Sequence, residues 1–188
     1  MSLTYLKRAT RTGEQSLLDV REIVQEILTD VKEGGDKRAL EFARKFDNYD
    51  GKLILTGEDV AEASEKVSQR IKDDIQFAYE NVKKFAEAQK ATLHDFNIDI
   101  IPEFTAGQKY IPCNSVGCYI PGGRYSHVAS AIMTVTTAKV AGCGHIAACS
   151  PPRPDAGINP AIIYTADLCG ADTILAMGGV QAIAAMTY

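Results

Sequence analysis

SVGCYIPGGRYSHVASAIMTVTTAKVAGC, residues 115–143, is the stretch that decides the fold. It opens on a short apolar run, residues 115–120, that a Pro-Gly-Gly turn ends. Ser126 then stands where a helix cap is wanted, and the helix it opens runs to about residue 141, where Gly142 and Gly144 close it. Two further units repeat the pattern. Residues 145–149 read as a second short strand, residues 151–160 as a proline-rich loop, residues 161–169 as a helix and residues 173–176 as a third strand, after which Gly178-Gly179 opens a last helix. Strands separated by roughly ten to twenty helical residues cannot form hairpins with one another, so parallel pairing through right-handed crossovers is implied. The span is predicted to be half of a doubly wound, Rossmann-like sheet.

Outward from that stretch the chain changes character. Residues 1–99 hold 20 of the 24 Asp/Glu and 16 of the 20 Lys/Arg, leaving 4 and 4 for residues 100–188. A charge-rich half has helices with one wet face, whereas a charge-poor half rich in Val, Ile, Ala and Gly resembles strands buried under helices on both sides. We therefore expect a helical N-terminal region, residues 1–110, and an α/β region, residues 111–188, with the boundary between Thr105 and Ser115. In the first region Leu17, Val20, Val24, Ile27 and Val31 share one helical face, and Gly34-Gly35 stops that helix. Asp36 is placed to cap a shorter helix that packs Leu40, Ala43 and Phe46, before a turn at Asp47, Asn48, Asp50 and Gly51. Thr56 with Asp59 is a variant of the capping box. The longest helix follows Ser68, carrying Ile71, Ile75, Ala78, Val82 and Phe85 as a stripe that suits core packing or, less simply, docking of a partner subunit. His94 falls in a polar connector.

Composition excludes several classes of function. With 188 residues, 46% apolar and 23% charged, the chain has the make-up of a folded globular protein. A net charge of −4, a pI near 5.4 and no Lys/Arg run longer than two give no footprint for nucleic acid. No run approaches the roughly 18 apolar residues of a membrane span, and nothing in residues 1–37 resembles a signal core. Cys113, Cys118, Cys143, Cys149 and Cys169 are odd in number and include no pair at metal or redox spacing, as reduced thiols in a cytoplasmic, soluble protein would be. No base adjoins any of them to activate a thiol nucleophile.

Ligands of open parallel sheets lie beyond the carboxyl ends of the strands. The residues there are Tyr119, Pro121, Gly122, Gly123, Arg124, Tyr125, Ser126 and His127 after the first strand, Ser150, Pro151 and Pro152 after the second, and Gly178, Gly179 and Gln181 after the third. Glycine pairs at two strand-to-helix turns allow close backbone approach, and the helix start behind each offers unpaired N–H groups suited to phosphate. Neither turn matches the G-x-G-x-x-G fingerprint, so spacing alone leaves tight turns and phosphate binding both open.

The quoted stretch, then CSPP at residues 149–152 and ADTILAMGGVQAIAAM at residues 171–186, resembles the histidinol dehydrogenase family in order and spacing, and the likeness reaches back through ENVKKFAEAQK at residues 80–90. That resemblance implies an NAD-dependent, zinc-containing enzyme that oxidises an alcohol through an aldehyde to a carboxylate, usually as a homodimer. By the same resemblance Tyr119 of YIPGG and Gln181 of GGxQAIAA contact NAD, with Gly122 and Gly123 beside them. Arg124, Tyr125 and His127 stand where histidinol-specific members carry small or apolar residues, which looks like the branch acting on sulfopropanediol. Arg124 and His127 are therefore expected to recognise an anionic substrate group, since a guanidinium donates in a planar fork and a helix start favours negative charge. The family's zinc ligands and its acid-base Glu/His pair follow the GGxQAIAA helix, so these residues are expected to form an N-terminal portion that does not catalyse alone. His94, His127 and His145 are too dispersed to replace that zinc site. Histidinol oxidation, or an inactive nucleotide-binding or subunit-interaction module using the face around Ile75 and Val82, are the alternatives.

Overall fold

The computed structural model describes residues 14–122 and 125–188. Helix α1, Glu14–Asp47, is broken at Gly35, whose φ of 58° and ψ of −150° no helix contains. The stop expected at Gly34-Gly35 is there, but Asp36 lies in the first turn of the second segment, with Gly35 as the non-helical residue before it. The inward face of that segment is also displaced from expectation: Ala39, Phe42 and Ala43 are buried, whereas Phe46 is 50% exposed and stacks on Phe42 at 5.6 Å. In the first segment Ile27 and Val31 are buried and Val20 is exposed.

Helix α2, Gly57–Glu65, starts where the sequence indicates. The backbone N–H and the hydroxyl of Thr56 both donate to Asp59 Oδ2 at 2.6 Å, and Lys52 Nζ donates to the same carboxylate at 2.9 Å. These bonds, that of the Thr56 hydroxyl first, hold the Asp59 carboxyl well below the usual carboxylate range. Helix α3, Gln69–Lys90, buries Ile75 and Ala86 and packs Ala78 and Val82 against the core, while Ile71 and Phe85 at the ends of the expected stripe are exposed. The middle of the stripe is core.

A two-stranded antiparallel hairpin follows, β1 (Phe96–Ile101) with β2 (Phe104–Gln108). It lies inside the region expected to be helical. The alternation of Phe96, Ile98 and Ile100 with Asn97 and Asp99 is a strand period, and it overrides the polar look of the segment.

Strands β3 (Ser115–Tyr119), β4 (His145–Ser150) and β5 (Thr173–Ala176) pair in parallel in that order. Between β3 and β4 the helix is composite: α4 (Val128–Ala131), a π-helical turn at Ile132–Thr136, and α5 (Thr137–Ala141). It begins later than expected. His127, not Ser126, is the cap residue, because its carbonyl accepts from Ser130 at 3.0 Å and from Ala131 at 3.4 Å. Gly142, at φ 96°, ends the helix in the left-handed region. Helices α6 (Pro160–Cys169), capped by the Asn159 side chain, and α7 (Gly179–Thr187) complete the repeat.

The sheet is covered on both faces. Ile146, Ala148, Ile174 and Ala176 pack against α3, α6 and the composite helix, while Cys149 and Leu175 pack against α1 and α7. That alternation along β4 and β5 is what a sheet between two helical layers requires. The N-terminal half also extends the sheet itself: Leu55 N–H donates to Ile174 at 3.0 Å and Ala176 N–H to Leu53 at 2.7 Å, so residues 53–55 run antiparallel along β5.

Candidate functional site

All three parallel strands end at one side of the molecule, and proline closes two of the ends. Ile120 N–H still donates to Cys149 at 2.8 Å, after which Pro121 has no N–H to offer. Pro151 ends β4 in the same way. Two glycines then bring the chain crossings together. A Cβ on Gly122 would lie 2.8 Å from Ser150 Oγ and 3.0 Å from the Pro151 carbonyl, and one on Gly178 would lie 2.7 Å from Pro151 Cγ. Gly179 has φ of +64°, the left-handed region that glycine occupies without strain. Gly122 and the Gly178-Gly179 turn therefore close on the Ser150-Pro151 step from two sides.

The start of α7 carries a polar network. Gly178 N–H donates to Asp47 Oδ2 at 3.1 Å, and Gln181 Nε2 donates to the same oxygen at 3.3 Å. Gly179 N–H donates to Tyr119 Oη at 3.3 Å. Tyr119 and Gln181, 62 positions apart in sequence, are thus brought to one turn. Gln181 is 2% exposed, with its amide turned inward to Asp47. Tyr119 is half-buried among α1 and α7 residues. Asp47 is the member of this network that the sequence reading missed, having assigned it to a turn. A carboxylate at a helix start is favoured by the helix dipole and satisfies N–H groups that the helix cannot.

Of the expected anion-recognising pair, only His127 is among the described residues. Gly123 and Arg124 lie outside them. His127 is exposed at the start of α4, and Tyr125 is 70% exposed. Burial pushes the Cys149 thiol up to about 12 and raises Cys118 and Cys169 as well.

Three features of the strand ends bear on a dinucleotide: the close backbone packing at Gly122 and Gly178, the start of α7, whose Gly178 and Gly179 N–H groups bond Asp47 and Tyr119 here, and a buried Ser150 hydroxyl with no partner among the described residues. Zinc does not fit this span, because among the described residues no three His, Cys, Asp or Glu side chains gather as a metal site would need. No described helix is long and apolar enough to cross a membrane.

Parallel strands between helical layers, with glycine turns at their carboxyl ends, define an α/β protein with N-terminal helices and a parallel three-stranded sheet. The sequence profile of histidinol dehydrogenase matches residues 10–188, and the chain belongs to that family. It is 56% identical over all 188 residues to the sulfopropanediol 3-dehydrogenase of Ruegeria pomeroyi, and 50% identical over 188 residues to a histidinol dehydrogenase homolog of Pelagibacter ubique. It covers 43% and 44% of those two proteins, less than half of each. Among solved structures it superposes on histidinol dehydrogenase from Elizabethkingia anophelis with a TM-score of 0.83 at 32% identity, covering 96% of this chain and 41% of that one.

Proposed function

We propose that this chain is the dinucleotide side of an NAD-dependent dehydrogenase that oxidises a small anionic alcohol such as sulfopropanediol to the acid, acting in the cytoplasm as a homodimer. The observation that carries the reading is the 56% identity, over the full 188 residues, to a sulfopropanediol 3-dehydrogenase. The geometry supports the cofactor half of it. NAD, when bound, would supply the hydride acceptor. Tyr119 offers an aromatic face and a hydroxyl at the Gly178-Gly179 turn, and Asp47 holds that turn in place through Gly178 N–H. Gln181, tied to the same carboxylate, fixes the first turn of α7, whose dipole favours phosphate. Arg124 and His127 would meet the anionic group of the substrate.

In this reading the acid-base pair and the zinc ligands implied by the family resemblance come from the part of the relatives outside this span, and no step is assigned to them. Histidinol is the second substrate to weigh, because the superposed Elizabethkingia anophelis structure is a histidinol dehydrogenase. Production of NADH by the complete protein carrying this chain should be followed with sulfopropanediol and with histidinol, in wild type and in Arg124→Ala. Turnover of sulfopropanediol that Arg124→Ala abolishes is expected. Preference for histidinol, or equal loss on both substrates, would overturn the substrate assignment.

A further inference from the structure

The three-stranded sheet has one free edge among the described residues. Beyond β5 the backbone of residues 53–55 is already paired, whereas no described strand lies beyond β3. Ile120 N–H turns toward β4 and donates to the Cys149 carbonyl, so by the alternation of a parallel ladder the N–H and C=O groups of Gly117 and Tyr119 turn to the open side. Gly117 is exposed there. Such a row of outward backbone groups is a template for another strand.

The helices indicate which chain reaches that edge. The composite helix and α6, which carry the chain from β3 to β4 and from β4 to β5, lie on one face of the sheet, and α7 lies on the other with α1. A right-handed crossover over the opposite face must step the opposite way, from β5 back toward β3. Helix α7 takes that course. A Cβ on Gly117 would stand 3.1 Å from Met186 Sδ and 3.2 Å from Met186 Cβ, so the last turn of α7 lies over β3. Beside it, between sheet and helices, is a slot of about 370 Å³ lined by Leu40, Val116, Ala147, Leu175, Ala185 and Met186 and, at the start of β3, by Ser115. Apolar walls of this kind are unfavourable in water. This chain covers 43% and 44% of the Ruegeria pomeroyi and Pelagibacter ubique relatives, so more than half of each lies outside the span. We propose that the chain following Tyr188 in the complete protein fills the slot with apolar side chains and adds a parallel strand to the free edge of β3. The proposal does not rest on the dinucleotide reading.

The test uses the complete protein. A benzophenone amino acid is placed at the exposed position of Ser115, and after irradiation the adduct is mapped by mass spectrometry. Attachment to residues beyond 188, at the mass of a single chain, is expected. Attachment anywhere else, or a covalent dimer, would overturn the choice of occupant. Wild type reads the edge by amide hydrogen exchange: Gly117 and Tyr119 N–H should exchange at least about a hundredfold more slowly than free chain, as hydrogen-bonded strand amides do. Exchange at the free-chain rate would overturn the added strand. Ala147→Leu reads the slot, where overpacking against the occupant should lower the melting temperature by about 2 °C or more. A melting temperature at or above that of wild type would mean that nothing fills the slot. None of these outcomes depends on NAD, so failure here leaves the dinucleotide reading standing.

Discussion

At the carboxyl end of the three-stranded sheet the chain crossings meet so closely that a Cβ on Gly122 or Gly178 would stand within 2.8 Å of a neighbour, whereas the β1–β2 hairpin leaves Phe96, Ile98, Ile100 and Phe104 at least half exposed. In the first region side chains from distant elements specify one another: Asp47 from α1 meets Gly178 and Gln181, and Tyr119 meets Gly179. In the second the contacts are local, such as Thr105 Oγ1 donating to Asp99 Oδ1 at 2.6 Å across the hairpin. A two-stranded ribbon with both faces in water adds little to stability. The difference teaches where this chain should be sensitive to change. The sheet end should respond to single atoms, and the hairpin to almost nothing.

The comparison breaks first at Gly178. Gly178→Ala places a methyl group against the Pro151 ring, 2.7 Å from Cγ and 2.8 Å from Cβ, and should cost about 1–3 kcal/mol in urea unfolding. A shift within error would mean that the strand ends are loose, contrary to the packing described. Asp47→Ala comes next. It strips Gly178 N–H and the buried Gln181 amide of one shared acceptor, and a loss of about 1–2 kcal/mol is expected from chemical denaturation. Stability equal to wild type would reduce Asp47 to a bystander. The smallest effect belongs to the hairpin, where Ile98→Thr and Ile100→Thr together should change the unfolding free energy by less than about 0.5 kcal/mol. A larger loss that grows with protein concentration would show that a second copy covers this face.

How much of this was legible in sequence follows from the range of the interactions. The strands at residues 115–119, 145–150 and 173–176 could be read because each is a local apolar run stopped by glycine or proline. The Thr56–Asp59 box was readable for the same reason, its partners being three residues apart. The hairpin was equally local yet was passed over, since Asp95, Asp99, Pro102 and Glu103 lend it the composition of a connector while Phe96, Ile98 and Ile100 keep strand periodicity. Residues 53–55 pair with β5 through backbone hydrogen bonds and pack Leu53 and Leu55 on opposite core clusters, but three residues are too few for their alternation to report as a strand. The face of α1 was misjudged by a fraction of a turn: Leu40, Ala43 and Phe46 and the observed Ala39, Phe42 and Ala43 are neighbouring rows on one helix, and only the sheet decides between them.

The site divides along the same line. Gly122, Gly178 and Tyr119 were marked by motif, and the crowding of the two glycines at Pro151 is the physical reason they are glycine. Asp47 lies 131 residues before Gly178 and 134 before Gln181, a separation at which no periodicity or cap pattern reports. Ser150 was visible as a strand-end residue, but nothing in the sequence tells that its hydroxyl is buried without a partner among the described residues.

The measurement that bears most directly on the dinucleotide seat is a calorimetric titration of NAD into this chain and into its Tyr119→Ala and Gln181→Ala variants, each first checked for a wild-type far-ultraviolet spectrum. The account predicts saturable one-site binding by wild type, weakened about tenfold or more in both variants. Folded variants that bind NAD as wild type does, or a wild type that does not bind it, would contradict the placement of the cofactor at the carboxyl end of the sheet.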